Sequence, residues 1–245
     1  MRAVSAAGFE IRRKQTPKAM QALEMLYELR ANSQRLEVEF FRYALANMSA
    51  SHSQIFQDLF VLFRSTQKRG GYFVEFGACD GEFLSNTALL EHSYGWRGIL
   101  SEPARRWHAK LKQNRNCEID LRCVWSETGK SITFSESPLA ELSAISAFRD
   151  HAEAAQEYTV ETISLIDLLR QHDAPHEIDY LSIDTEGSEL EILKAFDFSK
   201  YKFNIIMIEH NYGRDREHIF QLLISNGYSR VLEEISMVDD WYVRS

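Results

Sequence analysis

Apolar positions along this chain recur with two different periods. Between Pro17 and Met48 they fall three and four apart, at Met20, Leu23, Leu26 and Leu29 and again at Leu36, Phe40, Tyr43 and Ala44, which is one face of a helix. A third helical piece, SQIFQDLFVLFRST at 53–66, runs on to Gly70-Gly71, where the pattern breaks. Beyond it, short apolar runs alternate with helical stretches. Tyr72–Phe76 reads as a strand, Glu82–His92 as a helix and Arg97–Ser101 as a second strand; Pro103 fits the first turn of a helix reaching to about Gln113. CEIDLRCVW at 117–125 reads as a third strand, and after a turn at Thr128-Gly129 another strand returns. Strand and helix in alternation predict an α/β fold, a doubly wound parallel sheet with helices on its faces.

Residues 136–157, ESPLAELSAISAFRDHAEAAQE, interrupt this order; their small residues and proline predict a helical or irregular insertion. YTVETIS resumes extended character, followed by a helix at Leu165–Gln171. The strands Ile178–Ile183 and Phe203–Ile208 flank a helix at Ser188–Phe196, and each strand stops at acidic or polar residues. A helix at 215–225, stopped by Asn226-Gly227, and two extended pieces, YSRVLEEI and MVDDWYVRS, complete the elements. The expected division is a helical extension over 1–50 and one α/β domain over 51–245.

With 245 residues, 44% hydrophobic, the chain can bury a full core. A formal charge of −8 gives no overall attraction to a polyphosphate, so nucleic acid is not an expected partner. Cys79, Cys117 and Cys123 form no CxxC pair and no even set, which fits a reducing compartment. The first residues lack an apolar run of signal-peptide length and no run of 18 apolar residues occurs, so the expectation is a cytoplasmic protein without stable membrane insertion. The apolar faces of the N-terminal helices leave room for a homo-oligomer.

Open parallel sheets bind ligands beyond the C-terminal ends of their strands. Gly77 and Gly81 bracket the bend after the first strand, where backbone can come close to a ligand or simply turn tightly. A dinucleotide fingerprint would need glycines where this chain has Gly77, Cys79 and Glu82, and no GK[ST] follows, so neither a dinucleotide nor a P-loop nucleotide fits. A nucleoside without phosphates does. Glu102, ending the second strand, can accept both hydroxyls of a ribose, or cap the next helix.

The segments VEFGACDG, GWRGILSEP, VETISLIDLL, LSIDTEGSELEIL and IIMIEHN resemble the FkbM family of S-adenosylmethionine-dependent methyltransferases over about residues 53–235. The resemblance implies the class I methyltransferase sheet: seven strands, mostly parallel, with the last one reversed, here preceded by a helical extension. It implies S-adenosyl-L-methionine as cofactor and a hydroxylated small molecule, often a sugar or glycosylated natural product, as acceptor. By position it makes Glu75 and Gly77, Ala78, Cys79, Asp80 and Gly81 the loop facing the methionine part. Glu102 becomes the ribose ligand, and Cys123, Val124 and Trp125 fall near adenine. Gln54, Gln57 and Asp58 belong to the segment that closes over the donor, with helix surface and capping as their plainer reading.

Methyl transfer to a hydroxyl needs the proton removed or the developing alkoxide stabilised. Asp184 follows the YLSI run, and Glu209, His210 and Asn211 follow IIMI, so neighbouring strands would bring them together. Two mechanisms use that set. Asp184, Glu209 and His210 hold Mg2+ or Mn2+, which orients the acceptor, or His210 or Asp184 takes the proton directly. Glu186, Asn211, Tyr212 and, in the insertion, His151 are the candidate acceptor contacts. Glu189 and Glu191 read as helix surface. Transfer to an amine, or a noncatalytic scaffold that keeps the fold, are the alternatives.

Overall fold

The computed structural model describes residues 35–136, 144–145 and 156–245. The helix expected before residue 35, much of the 136–157 insertion and His151 lie outside them. The element order is α1 (Arg35–Asn47), α2 (Gln57–Arg64), β1 (Tyr72–Phe76), α3 (Ala88–Tyr94), β2 (Arg97–Ser101), α4 (His108–Asn114) and β3 (Glu118–Asp120). A short excursion follows: β4 (Cys123–Trp125), β5 (Ser131–Glu136), β6 (Ala144–Ile145) and β7 (Gln156–Ser164). The chain then runs through α5 (Leu165–Gln171), β8 (Glu177–Ile183), α6 (Glu189–Lys194), β9 (Lys202–Glu209), α7 (Arg216–Ser225), β10 (Tyr228–Val231) and β11 (Asp239–Arg244).

Seven strands form one sheet in the order β10-β11-β9-β8-β1-β2-β3. Pairings among β3, β2, β1, β8 and β9 are parallel, whereas β11 runs antiparallel to both β9 and β10. The order reverses at β1, where β2 lies on one side and β8 on the other. At such a switch point the loops after the strands diverge and leave a crevice.

The continuous apolar runs of the central strands follow from burial on both faces, with successive residues pointing to opposite sides. Phe73, Leu100, Tyr180, Ile205, Met207 and Trp241 face one core, built with Phe40 of α1, Phe60 of α2, Leu90 of α3 and Leu111 of α4. Val74, Ile99, Leu181, Ile183, Ile206, Ile208 and Tyr242 face the other, against Leu168, Leu193 and Leu223 of α5, α6 and α7. Phe60 lies 4.9 Å and Phe40 5.8 Å from Trp241, ring centre to ring centre, so α1 and α2 close the sheet over β11. Helix α1 is therefore integrated with the core of the main sheet.

Four sequence expectations change, the first being that the helix expected from Pro103 begins only at His108. The 117–125 run is two strands: β3 joins the main sheet, while β4 leaves it to pair with β7 in a second sheet of order β4-β7-β5-β6. The described parts of the insertion are strand, since Ala144–Ile145 pairs with Phe134 and Ser135. The helix expected from Glu82 begins only at Ala88, and residues 82–87 form an irregular loop containing Leu84 at φ 58°. Ser85, Asn86 and Thr87 favour such a course because their side chains compete for backbone hydrogen bonds.

Candidate active site

A cavity of about 1060 Å³, open mouth included, lies beyond the C-terminal ends of β2, β1, β8 and β9 and the first residue of β11. Strand alternation decides what faces it. Phe73 and Glu75 share one side of β1, Tyr180 and Ser182 one side of β8, and Met207 and Glu209 one side of β9; register then sets Asp239 of β11 opposite Glu209. Glu75, Ser182, Asp184, Met207, Glu209 and Asp239 all line the cavity.

At one end stands Glu102, buried at the tip of β2. One carboxylate oxygen accepts the Cys79 N–H at 2.7 Å, and the other accepts the Ala104 N–H at 2.7 Å. Burial pushes its pKa up to about 7 despite these two donors. The helix-cap reading of Glu102 is not what the structure has, because α4 begins only at His108 and the bond to Ala104 braces the turn after β2; each carboxylate oxygen keeps a lone pair. Gly77, Ala78 and Cys79 line the same end, with Pro103, Cys123 and Val124, and Phe134 and Ile145 of the second sheet.

The sequence-predicted donor residues divide. Glu75 lines the cavity wall, yet its carboxylate is engaged by the Asn86 N–H at 2.8 Å, the Ser85 hydroxyl at 3.1 Å and the Thr87 hydroxyl. Its pKa is raised because burial outweighs Arg115, 3.8 Å away, and these donors. Asp80 and Gly81 do not line the cavity. The Asp80 carboxylate accepts the N–H groups of Glu82 and Phe83, and a Cβ on Gly81 would strike Leu111 and Arg115. Trp125 packs with the second-sheet cluster instead of the cavity. Gln54 and Gln57 line the cavity, and Gln57 donates to Asp239 at 2.8 Å. Asp58 points away, fully buried, and accepts the hydroxyls of Ser51 and Ser53 and the N–H of His52, each at 2.7 Å.

At the other end Asp184, Glu186 and Glu209 each bring a carboxylate oxygen within 4.8 Å of the others. Asn211 ties two of them, its Nδ2 donating to Glu209 at 2.7 Å and lying 3.3 Å from Glu186. Asp184 Oδ1 is out of contact with solvent and has no hydrogen-bond partner; burial, then the charge of Glu186, pushes the Asp184 pKa up to about 8. Glu189, expected on the helix surface, is buried and accepts Thr185 N–H, Thr185 Oγ1 and Gly187 N–H at 2.9–3.1 Å, fixing the loop that carries Glu186. Glu191 does lie at the surface, paired with Lys194 at 2.9 Å.

His210 does not join this cluster. As the residue after Glu209 it turns to the opposite side of the sheet, where its Nε2 lies 3.6 Å from Asp240 and its Nδ1 accepts the Tyr212 N–H at 2.9 Å. Burial there lowers its pKa to about 4, leaving it neutral. Asp240 is in turn held by Arg216 and Arg230. Tyr212 is 63% exposed and outside the cavity lining.

Sequence reading missed Ser85, Asn86, Phe134, Ile145 and Asp239 as lining residues. The polar run Ser85-Asn86-Thr87, residues that cap a helix and do not continue one, was the available signal for the first two, and Ser85 Oγ accepts the Ala88 N–H at 3.1 Å; the others depend on strand pairing. Cys79, Leu84 and Glu186, which line the cavity, all have positive φ, a backbone state that loops at binding sites often hold.

Among curated proteins the chain is similar to the hexuronic acid methyltransferase AglP of Haloferax volcanii, 26% identical over 125 residues, which is 51% of this chain and 50% of that one. The match thus spans half the length of that relative. Among solved structures it is similar to a methyltransferase FkbM from Methylobacillus flagellatus KT, with 16% identity, a TM-score of 0.47, and 91% of this chain and 59% of that one covered. An O-methyltransferase from Bacillus cereus in complex with SAH gives 12% identity, a TM-score of 0.44, and 97% and 95% coverage. The Methyltransferase FkbM domain model matches residues 75–230, from the glutamate of β1 into β10, a span that includes both acidic ends of the cavity. That match takes in well over half of the chain, and the chain belongs to the FkbM methyltransferase family.

Proposed function

We propose that this protein is an S-adenosylmethionine-dependent O-methyltransferase acting on a hydroxyl of a sugar or of a glycosylated or natural-product small molecule. One observation carries the reading: a single cavity joins Glu102, at the end of β2, to the Asp184–Glu186–Glu209 cluster at the ends of β8 and β9. Glu102 would receive the ribose hydroxyls, and the apolar strip of Val124, Phe134 and Ile145 suits an adenine ring. No lysine, arginine or histidine is among the described residues lining the cavity, which suits a donor without phosphates.

In transfer, the acceptor oxygen bonds to the methyl carbon as the carbon–sulfur bond breaks. The sulfur keeps the electron pair and the hydroxyl gives up its proton. Where no cation is held, Asp184 Oδ1, lacking a partner, is the atom we assign to receive that proton; burial raises its pKa to about 8, so the ionised form, the minor one at neutral pH in the empty protein, is a strong proton acceptor. Glu209, oriented by Asn211, and Glu186 complete an all-oxygen set that fits Mg2+ or Mn2+. A cation held by these three residues would supply positive charge that favours ionisation of the hydroxyl. His210 has no part in that set. The likeness to a hexuronic acid methyltransferase supports a sugar acceptor, and Cys79, Cys117 and Cys123, none of them in a disulfide, suit a reducing cytoplasm.

The test is calorimetric titration with S-adenosylhomocysteine in chelator and then with Mg2+ or Mn2+, followed by mass spectrometry of a panel of sugars incubated with donor. Saturable binding and a product heavier by one methyl group are expected. No binding in either condition would overturn the reading.

A further inference from the structure

The proposed reaction leaves one polar atom at the cavity wall unused, the buried side-chain oxygen of Asn86, a residue that lines the cavity. Oδ1 is shut off from solvent and has no hydrogen-bond partner, although Asn86 lines the cavity. The residue is held at two other points: its Nδ2 donates to Ser182 Oγ at 2.9 Å and its backbone N–H to Glu75 at 2.8 Å. Behind it, the fully buried Arg115 donates to Gly81 O at 3.0 Å, Ser85 Oγ at 3.1 Å, Thr87 Oγ1 at 2.8 Å and Glu91 at 2.6 Å. The 81–87 loop is thereby latched, and Oδ1 is not free to swing toward water. A buried acceptor kept in this way without a partner is rare and costly, and a ligand that brings a donor removes the cost.

Position selects the ligand group. Ser182, near the end of β8, precedes Asp184 by two residues and both line the cavity, so Asn86, bonded to Ser182, sits below the acid cluster. We infer that Asn86 Oδ1 accepts a hydrogen bond from the α-ammonium of the donor's amino-acid end. The inference rests on the donor reading above. Glu102 takes the ribose and Asp184 the acceptor hydroxyl, which leaves the ammonium as the charged N–H group still to be placed. Glu75, Glu102, Asp184, Glu186, Glu209 and Asp239 line the cavity with no basic side chain among the described lining residues, so its field favours a cation.

The experiment titrates wild type, Asn86→Leu and Asn86→Asp with S-adenosylhomocysteine and with 5′-methylthioadenosine, which keeps the adenosine and sulfur but has no amino-acid end. In Asn86→Leu, S-adenosylhomocysteine should weaken about ten-fold while 5′-methylthioadenosine stays within about two-fold of wild type. Asn86→Asp, which keeps an acceptor oxygen and adds charge, should retain S-adenosylhomocysteine affinity. Unchanged affinity in Asn86→Leu, or equal weakening of both ligands, overturns the assignment. So does a loss in Asn86→Asp matching that in Asn86→Leu, which would place an amide N–H against the ligand's carboxylate. A wild-type protein that binds neither ligand fails the donor reading itself, and this proposal with it.

Discussion

Gly77 and Asp184 meet so closely that a Cβ on Gly77 would overlap the backbone oxygen of Asp184. The loop after β1 and the strand end that carries the candidate base therefore share a contact surface. Movement of either is felt by the other.

Gly77→Ala should disturb both. Gly77 has φ 74°, which costs a non-glycine residue about 1–3 kcal/mol before the overlap is counted. S-adenosylhomocysteine affinity should fall at least roughly ten-fold and the melting temperature by several degrees, since about 1 kcal/mol is worth roughly 2–4 °C in a chain of this size. Unchanged affinity in calorimetry would show that the contact yields without consequence.

The two ends of the cavity should separate in mutant kinetics. Glu102→Ala is expected to weaken donor binding about ten-fold or more by removing the acceptor for two hydroxyls. Asp184→Asn should leave donor affinity within about three-fold while lowering turnover by about two orders of magnitude. Parallel titrations and steady-state rates check this, and similar losses of donor affinity in both variants would contradict it.

Donor binding should depend on pH. With its pKa raised to about 7, Glu102 is protonated below that point in the empty protein, and only the ionised form accepts both hydroxyls. Affinity should rise up to roughly ten-fold from pH 6 to pH 8, with proton release on binding, and Glu102→Gln should flatten the curve. For stability the sign is opposite. The folded pKa values of Glu102 and Asp184 lie above their ordinary range, so the empty protein loses stability as pH rises from about 4 to 8. Thermal melts across that range read it, and Asp184→Asn should gain most over wild type at the alkaline end.

Metal affinity offers a third separation. Glu209→Ala should weaken Mn2+ binding about ten-fold or more, whereas His210→Ala should leave it within about two-fold, because His210 faces Asp240 on the other side of the sheet. Electron paramagnetic resonance of free Mn2+ gives both numbers. A strong loss in His210→Ala alone would move the site.

Arg115→Met should cost about 3–5 kcal/mol of unfolding free energy in urea, since it leaves the buried Glu75 and the half-buried Glu91 without their cation. A cost below about 1 kcal/mol would show that the latch on the 81–87 loop is not held by charge.

Much of the fold was legible because buried parallel strands and amphipathic helices write different periods into the chain. Tyr72–Phe76, Arg97–Ser101 and Leu165–Gln171 keep their expected bounds, and the runs ending at Ser101, Ile183 and Ile208 lead to Glu102, Asp184 and Glu209 where the cavity lies. Those acidic residues could be named from sequence, since a strand end at a switch point is where a ligand must sit. Their partners could not. Whether Glu209 or His210 faces the cavity depends on which side of the sheet the strand presents, and adjacent residues of one strand face opposite ways. Asp58 and Asp80 were claimed by their own neighbours, a short-range competition that composition does not rank. Asn86 and Asp239 enter the site through long-range contacts, Asn86 with Ser182 of β8 and Asp239 with Glu209 in strand register and with Gln57, 182 residues away. The one-dimensional pattern determined the strands and the acids at their ends. Only long-range packing decided which side chains were left without a partner inside the cavity, because that depends on every donor the folded chain brings near them.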